Sequence, residues 1–145
     1  MRKKGFTLIE LLIVIAVISI LIGIALPRFK GMQDEGNIAK AKGELRTLQT
    51  AVESYYIHNN HTYPATLSSL TSATPSVVST IPTDPFSATD AAYGYVLGGT
   101  NNKYYIIYSV GVGGNGSAVI TSNAVVQTNG DSCIYASNIS QDDKP

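Results

Sequence analysis

The stretch that decides the fold is Lys4-Gly5-Phe6-Thr7-Leu8-Ile9-Glu10, together with the apolar run that it opens, which continues to Leu26. About 20 apolar residues in a helix cross the hydrocarbon core of a bilayer. Between Lys4 and Arg28 the only formal charge is that of Glu10. A lone carboxylate inside such a segment is costly and is tolerated mainly when it has a partner. The run therefore predicts a membrane-spanning helix and marks Glu10 as a functional residue.

A secretory signal peptide also begins with basic residues, but it differs from this run in two ways. Its apolar core has about 7–15 residues, and a cleavage site of small residues follows it. Here the run is longer, and Leu26-Pro27-Arg28 does not resemble such a site. The basic residues at positions 2–4 predict a cytoplasmic N-terminus, although Arg28 and Lys30 weaken the charge asymmetry. We therefore predict a single span with the bulk of the chain outside.

The helical pattern continues beyond the apolar run. Apolar residues recur at steps of three and four along one stripe: Ile38, Ala41, Leu45, Leu48, Val52 and Tyr55. This spacing predicts an amphipathic helix whose apolar stripe packs on the rest of the chain. Pro27 lies between the two halves and is predicted to kink the helix without ending it, because the pattern resumes. The Asn59-Asn60 pair and Pro64 are predicted to end it.

The last part of the chain alternates β-branched and aromatic residues with polar, glycine-containing turns, which predicts short strands. The predicted strands are 93–97, 103–110, 118–121, 124–128 and 132–136, and one helical turn is predicted at 66–70. Asn129-Gly130 is a strong hairpin signal, so the last two strands are predicted to pair with each other. A small antiparallel sheet packed on the amphipathic half of the helix makes an α+β fold.

Composition and spacing argue against several classes of function. Beyond the leader there are seven basic and ten acidic residues, whereas nucleic-acid binding needs a basic face. Cys133 is the only cysteine, which excludes an intrachain disulfide and a cysteine-cluster metal site. His58 and His61 have no Cys or acidic neighbour in sequence, so no metal or other cofactor is predicted. Because no nucleophile–base–acid set is visible, the chain is not predicted to be an enzyme.

The N-terminal segment closely resembles that of the type IV pilins and of the pseudopilins of type II secretion. The shared features are the basic leader, Gly5, Phe6, Glu10 and the proline, Pro27, that closes the apolar run. The resemblance implies that a prepilin peptidase cuts between Gly5 and Phe6 and then methylates the new N-terminus at Phe6. It also implies a pilin-like fold and polymerisation through the N-terminal helix by an inner-membrane assembly machinery.

Cleavage would supply the partner that Glu10 needs. Phe6 would then carry a positive amine one helical turn before the carboxylate of Glu10. In a filament, the amine of one subunit and the carboxylate of its neighbour neutralise each other. Leaving one member of a buried pair unpaired costs about 3–5 kcal/mol, so the pair sets register more than it adds stability. The alternative is a Glu10 that snorkels to the membrane surface or is protonated.

A second, looser resemblance is to the major pseudopilin of type II secretion. It rests on Pro82-Thr83-Asp84-Pro85-Phe86 and on Tyr108-Ser109-Val110-Gly111. In that family an acidic residue shortly after the Tyr-Ser-x-Gly stretch helps to bind calcium. Val112-Gly113-Gly114 offers no carboxylate here, and calcium prefers several oxygen ligands. Calcium is therefore not predicted in this loop.

These observations predict a structural subunit of a type IV pilus-like filament. The alternative is the major pseudopilin of a type II secretion system, and the third possibility is a membrane-anchored binding module or enzyme. The predicted regions are a removed leader at 1–5, a membrane and filament-core helix at 6–27, an amphipathic helix at 28–57 and a body at 58–145. The predicted location is the inner membrane before assembly and a cell-surface or periplasmic filament afterwards. The predicted partners are copies of the chain, the peptidase and the assembly machinery, with no nucleic acid.

Overall fold

The computed structural model describes residues 5–121, 126–130 and 132–139. The basic leader residues 2–4 and residues 124–125 of the fourth predicted strand lie outside that part of the chain. Two compact units make up the protein, Met1–Gly36 and Asn37–Pro145. The first helix, α1, spans Leu8–His58 and contributes to both units. The long N-terminal helix of the sequence prediction is confirmed.

The first unit is the apolar half of α1. Pro27 lies inside the helix, which continues on both sides of it. This agrees with the expectation that Pro27 does not end the helix, and the kink expected there stays a prediction. Ser19, a hydroxyl inside the apolar segment, donates to the carbonyl oxygen of Ile15 at 2.7 Å. That bond satisfies the hydroxyl within the helix itself.

The C-terminal end of α1 is closed by residues in the left-handed conformation. Asn60 has φ 51° and His61 has φ 56°. The amide of His61 donates to the carbonyl oxygen of Tyr56 at 3.1 Å, which is the six-to-one bond of a Schellman motif. Asparagine tolerates this backbone conformation better than most residues. The predicted end of the helix at the Asn59-Asn60 pair is therefore confirmed.

In its described residues, the second unit contains the second half of α1, one short α-helix, a 3₁₀ turn at Thr100–Asn102 and five short strands. The helix α2 spans Ser69–Ser72, and the strands are β1 (Gly94–Gly98), β2 (Tyr104–Ser109), β3 (Ser117–Ile120), β4 (Val126–Asn129) and β5 (Ile134–Ser137). One antiparallel sheet has the order β1-β2-β5, and β3 and β4 form a second antiparallel pair. The predicted α+β class is confirmed.

One predicted strand pairing is wrong. Asn129-Gly130 does not join a hairpin of its flanking strands, because β4 pairs with β3 and β5 pairs with β2. The reason is burial: Ile134 and Ala136 of β5 pack against the hydrophobic core. Burying these side chains against β2 and α1 outweighs the local preference of the Asn-Gly turn.

The core lies between the amphipathic half of α1 and the three-stranded sheet. On its helix side, four of the six predicted stripe residues are buried, Ala41, Leu45, Leu48 and Val52, and Ala51 is buried beside them. Ile38 and Tyr55, at the two ends of the stripe, are half-buried. Its sheet side includes Tyr105 and Ile107 of β2, both fully buried. Ile106, which alternation directs to the opposite face of β2, is also fully buried. Both faces of β2 are therefore covered, which makes it the central strand of the body.

Tyrosine hydroxyls tie the sheet to α1. The hydroxyl of Tyr93 donates to Oε2 of Glu44 at 2.6 Å, and that of Tyr105 donates to Oε1 of Glu53 at 2.7 Å. Burial, with the neighbouring glutamate, raises the pKa of both tyrosines above the ordinary value. Because the pKa of each tyrosine is raised in the folded state, the two hydrogen-bonded hydroxyls stabilise the fold fully below about pH 10. Their contribution to the free energy of unfolding declines as the pH rises further.

We expect Tyr105→Phe to lower the free energy of unfolding by about 1.5–3 kcal/mol near neutral pH, since it removes a hydrogen bond to a carboxylate. The variant should also lose less stability than the wild type between pH 9 and pH 11. Denaturant unfolding of the full chain in non-ionic detergent measures both effects. Tyr104→Phe is the control, because its hydroxyl has no hydrogen-bond partner within the described ranges. Equal losses in the two variants would contradict this account.

Candidate assembly site

The predicted site at the N-terminus is built around a helix cap. Thr7 precedes α1, and its backbone amide and its hydroxyl both donate to Oε2 of Glu10 at 2.9 Å. The amide of Glu10 lies 3.3 Å from the hydroxyl oxygen of Thr7, its acceptor. This reciprocal arrangement is a capping box, in which an N-cap Thr and a Glu three residues later satisfy amides that the helix leaves free.

The capping box gives Glu10 a partner within its own chain. A carboxylate near the helix start also interacts favourably with the helix dipole. Sequence reasoning assigned Glu10 only an intersubunit role and did not single out Thr7. The missed signal was the Thr-x-x-Glu spacing before an apolar run, which is typical of a helix start. Glu10 therefore has a structural role in the single chain before any neighbour is present.

Gly5 and Phe6 lie just before this cap, outside the helix. Phe6 is 87% exposed, and a Cβ added to Gly5 would meet no atom within 4 Å. No packing contact among the described residues therefore requires a glycine at position 5. A requirement for glycine there has to come from outside the fold. Pro27 is not part of this cluster and lies at the far end of the apolar segment.

The described part of the chain leaves the apolar segment between Phe6 and Phe29 exposed. An 18-residue window of α1 is apolar enough to cross a membrane, and none of that window is buried. Large exposed side chains occur on all sides of the helix, for example Leu8 at 89% and Leu26 at 63%. A continuous apolar surface of this extent marks a contact with lipid or protein. Membrane anchoring is the property that length, composition and exposure jointly indicate.

A second site joins the two segments of the looser resemblance. Asp84 is 3% exposed and accepts hydrogen bonds from the Ser109 hydroxyl at 2.8 Å, the Val110 amide at 2.7 Å and the Phe86 amide at 3.0 Å. The Ser109 hydroxyl oxygen in turn accepts from the amide of Gly111 at 3.1 Å. The Asp84 carboxylate therefore joins the proline-rich loop, residues 73–91 between α2 and β1, to the end of β2.

Gly111 completes this junction. It has φ 68°, and a Cβ there would collide with the carbonyl oxygen of Ser132, just before β5. A larger residue would therefore have to separate the end of β2 from the segment that leads into β5. Burial and the nearby carboxylate of Asp84 raise the pKa of the Cys133 thiol above its ordinary value. A raised pKa keeps this thiol protonated near neutral pH.

The residues at this junction do not fit a calcium ion. Calcium takes six to eight oxygen ligands. Both oxygens of Asp84 already accept hydrogen bonds from the protein, and 112–114 carries no side-chain oxygen. Within residues 5–121, 126–130 and 132–139, no three His, Cys, Asp or Glu side chains form a group that could hold a metal.

Comparison with known proteins identifies two matching families. Residues 1–26 match the model of the prokaryotic N-terminal methylation motif. Residues 28–128 match the model of type II secretion system protein G. No solved structure matches the chain significantly. The resemblance seen in the sequence is therefore confirmed at the level of the family.

Similar curated proteins carry the names of both kinds of filament subunit. The chain is 47% identical over 55 residues to the type IV major pilin protein PilA of Myxococcus xanthus, covering 38% of this chain and 25% of that protein. It is 49% identical over 57 residues to the fimbrial protein EcpB of Eikenella corrodens, covering 39% and 36%. The match to type II secretion system core protein G of Pectobacterium carotovorum is 32% over 65 residues, covering 45% and 41%.

These alignments span about a quarter to two-fifths of the relatives' length. The family model covers much more of this chain, from just after Pro27 through the proline-rich loop and the end of β2. The methylation motif accounts for the segment before it. The chain belongs to the family of type II secretion system protein G, with the prokaryotic N-terminal methylation motif at its start.

Proposed function

We propose that the chain is a structural subunit of a type IV pilus-like filament, held in the inner membrane and then polymerised through the first half of α1. The observation that carries the proposal is the apolar half of α1, which no other part of the described chain covers. Lipid covers such a helix before assembly, and copies of the same helix cover it afterwards. The pilin and fimbrial relatives support this reading.

In this proposal, prepilin peptidase cuts between Gly5 and Phe6 and methylates Phe6. Two observations support this step. Residues 1–26 match the methylation motif, and the open space around Gly5 shows no packing contact among the described residues that needs a glycine there. A glycine lets the peptide enter a protease site without a side-chain clash. The basic residues at positions 2–4 would hold the N-terminus in the cytoplasm, where the leader is removed.

We expect Gly5→Leu to leave full-length precursor in the membrane, because the bulk enters the protease site and disturbs nothing else. Intact-mass measurement of the membrane fraction distinguishes precursor from mature chain. Gly43→Leu is the matched control, since a Cβ there also meets no atom within 4 Å, and it should be cleaved normally. Complete cleavage of Gly5→Leu, or Met1 retained in wild-type filaments, would contradict the proposed processing.

On assembly, the carboxylate of Glu10 would gain a second partner. In the single chain its carboxylate is held by Thr7. In the filament the amine of a neighbour's Phe6 would reach the same carboxylate and neutralise it in an apolar surrounding. Such a pair discriminates between registers, because a displaced subunit leaves both charges unpaired at a cost of about 3–5 kcal/mol.

The filament should also change α1 near Pro27. Pro27 supplies no amide hydrogen, so the carbonyl of Gly23 has no helical partner there. The Ser19 bond to Ile15 adds a further local disturbance. We expect the helix to loosen between Ser19 and Pro27 when subunits pack, and a filament density map tests this. Unbroken helical density through these residues would refute it.

A second candidate is the major pseudopilin of a type II secretion system. The observation that favours it is the match of residues 28–128 to protein G, together with the Asp84 junction inside that range. The two candidates share processing and assembly. They differ in the location of the filament, which is the cell surface for a pilus and the periplasm for a pseudopilus. Both are structural rather than enzymatic roles.

Electron microscopy and immunoblotting of sheared surface material, set beside the membrane and periplasmic fractions, test the proposal. A pilus subunit should appear as mature chain in long surface fibres. A pseudopilin should appear as mature chain in the periplasmic or membrane fraction, without surface fibres. A chain that stays monomeric in the membrane in every condition would contradict both candidates and favour an anchored binding module.

A further inference from the structure

A cavity of about 460 Å³ lies within the second unit, between the end of α1 and the segment that joins β1 to β2. Small-molecule sites commonly have volumes of about 300–1,000 Å³. Its lining combines aromatic rings, side-chain amides and one cation: Tyr56, Tyr63, Tyr104, Asn101, Asn102 and Lys103. The proposed filament function uses none of these residues.

The aromatic part of the lining is held rigid by ring stacking. The rings of Tyr56 and Tyr63 stack with centroids 4.4 Å apart, and Tyr63 also contacts Tyr105 at 4.9 Å. Tyr105 is fully buried, so this stack is anchored in the core. Because the rings are already ordered, a ligand that lies against them needs little further loss of side-chain entropy.

The polar part of the lining is held by an uncommon backbone conformation. His61, Asn101 and Asn102 all have positive φ, at 56°, 60° and 53°. Asparagine tolerates this backbone region better than most residues, and the side chains of Asn101 and Asn102 are exposed at the cavity. The described part of the structure gives no hydrogen-bond partner for the side-chain amides of Asn101 and Asn102. These amides are therefore available to a ligand.

The cavity has one positively charged side chain, that of Lys103, in its lining. Lys103 is the only lysine or arginine between Arg46 and Lys144, and it lies at the cavity with its ammonium 6.0 Å from the ring centroid of Tyr104. None of the described residues that line the cavity is acidic. The nearby carboxylate of Glu53 is not part of the lining and accepts hydrogen bonds from the hydroxyls of Tyr63 and Tyr105. Lys103 has no ion-pair partner among the described residues, which favours an anionic ligand.

We propose that this cavity binds an acidic saccharide, such as a uronic acid residue of a glycan. The carboxylate would pair with Lys103, and the apolar face of the sugar ring would lie against a tyrosine. The amides of Asn101 and Asn102 would bond to the sugar hydroxyls, since an amide supplies both a donor and an acceptor. A site with one cation, free amides and ordered rings matches these three requirements of one ligand class.

The test uses the full chain in non-ionic detergent, titrated with methyl glucuronide and, separately, with methyl glucoside by ligand-observed NMR. The two probes differ only in a carboxylate at the position where the glucoside has a hydroxymethyl group. We expect saturable binding of both, with the glucuronide bound roughly three- to tenfold more tightly through its charge. Absence of saturable glucuronide binding, or equal affinity for the two probes, would overturn the proposal.

Two variants locate the binding. Lys103→Gln should abolish the preference for the glucuronide, whereas Lys42→Gln, the same change at a different cavity, should retain it. Asn101→Gly should weaken both probes, and it keeps the backbone intact because glycine adopts the positive φ found there. A preference that persists in Lys103→Gln, or unchanged affinities in Asn101→Gly, would place binding elsewhere and overturn the proposal.

Discussion

Asp84→Asn is expected to lower the free energy of unfolding by about 3 kcal/mol, as a hydrogen-bonded buried charge is lost and a donor is left without an acceptor. Both carboxylate oxygens accept hydrogen bonds from backbone amides: Oδ1 accepts from Phe86 and Oδ2 accepts from Val110. An asparagine amide has only one oxygen, so its NH₂ group must face one of these donors. The substitution therefore separates the proline-rich loop from the end of β2.

Denaturant unfolding of the full chain in non-ionic detergent, followed by tyrosine fluorescence, measures this loss. Asp90→Asn is the control, because it makes the same chemical change at an exposed position of the same loop. Asp90 has φ 51°, which asparagine also tolerates, so its variant should stay within about 0.5 kcal/mol of the wild type. Comparable effects at the two positions would show that the junction does not depend on Asp84.

The helix could be predicted from local information. Apolar length predicted the exposed first half, and the three-and-four spacing predicted the stripe that is buried in the second half. The end of α1 followed from the Asn59-Asn60 pair, of which Asn60 adopts the left-handed conformation. These features depend on residues close together in the sequence, so local sequence patterns are enough to predict them.

The strand pairing and the Asp84 junction could not be predicted in the same way. Burial of Ile134 and Ala136 decides the partner of β5, and that burial depends on α1, far away in the sequence. Asp84 was noticed only as part of a motif, because Ser109 and Val110 reach it across 25 and 26 residues of chain. The cap at Thr7 is different, since its Thr-x-x-Glu signal was present locally and was overlooked.

Glu10→Ala is expected to have the largest effect of all on assembly. It removes a charge from the apolar segment, so membrane insertion should be normal. Cleavage should also be normal, because Gly5 and Phe6 are unchanged. Filament yield should fall about tenfold or more, since the amine of each neighbour would be buried without a carboxylate.

Glu10→Gln separates the two roles of this side chain. Glutamine also serves at the third helical position of a capping box, so the cap with Thr7 is kept while the charge is lost. Filament yield should then lie between those of the wild type and Glu10→Ala. A wild-type yield from Glu10→Gln would mean that the cap alone matters. Glu35→Ala, which removes an exposed carboxylate from the same helix, is the control and should assemble normally.

The most direct measurement is a quantitative immunoblot of Glu10→Ala in the fraction where wild-type filaments are found, beside its membrane fraction. We expect mature, correctly cleaved chain at normal abundance in the membrane and little or none in the filament fraction. A Glu10→Ala chain that reaches the filament fraction at the wild-type level would contradict it, because assembly would then need no charge to meet the amine of Phe6.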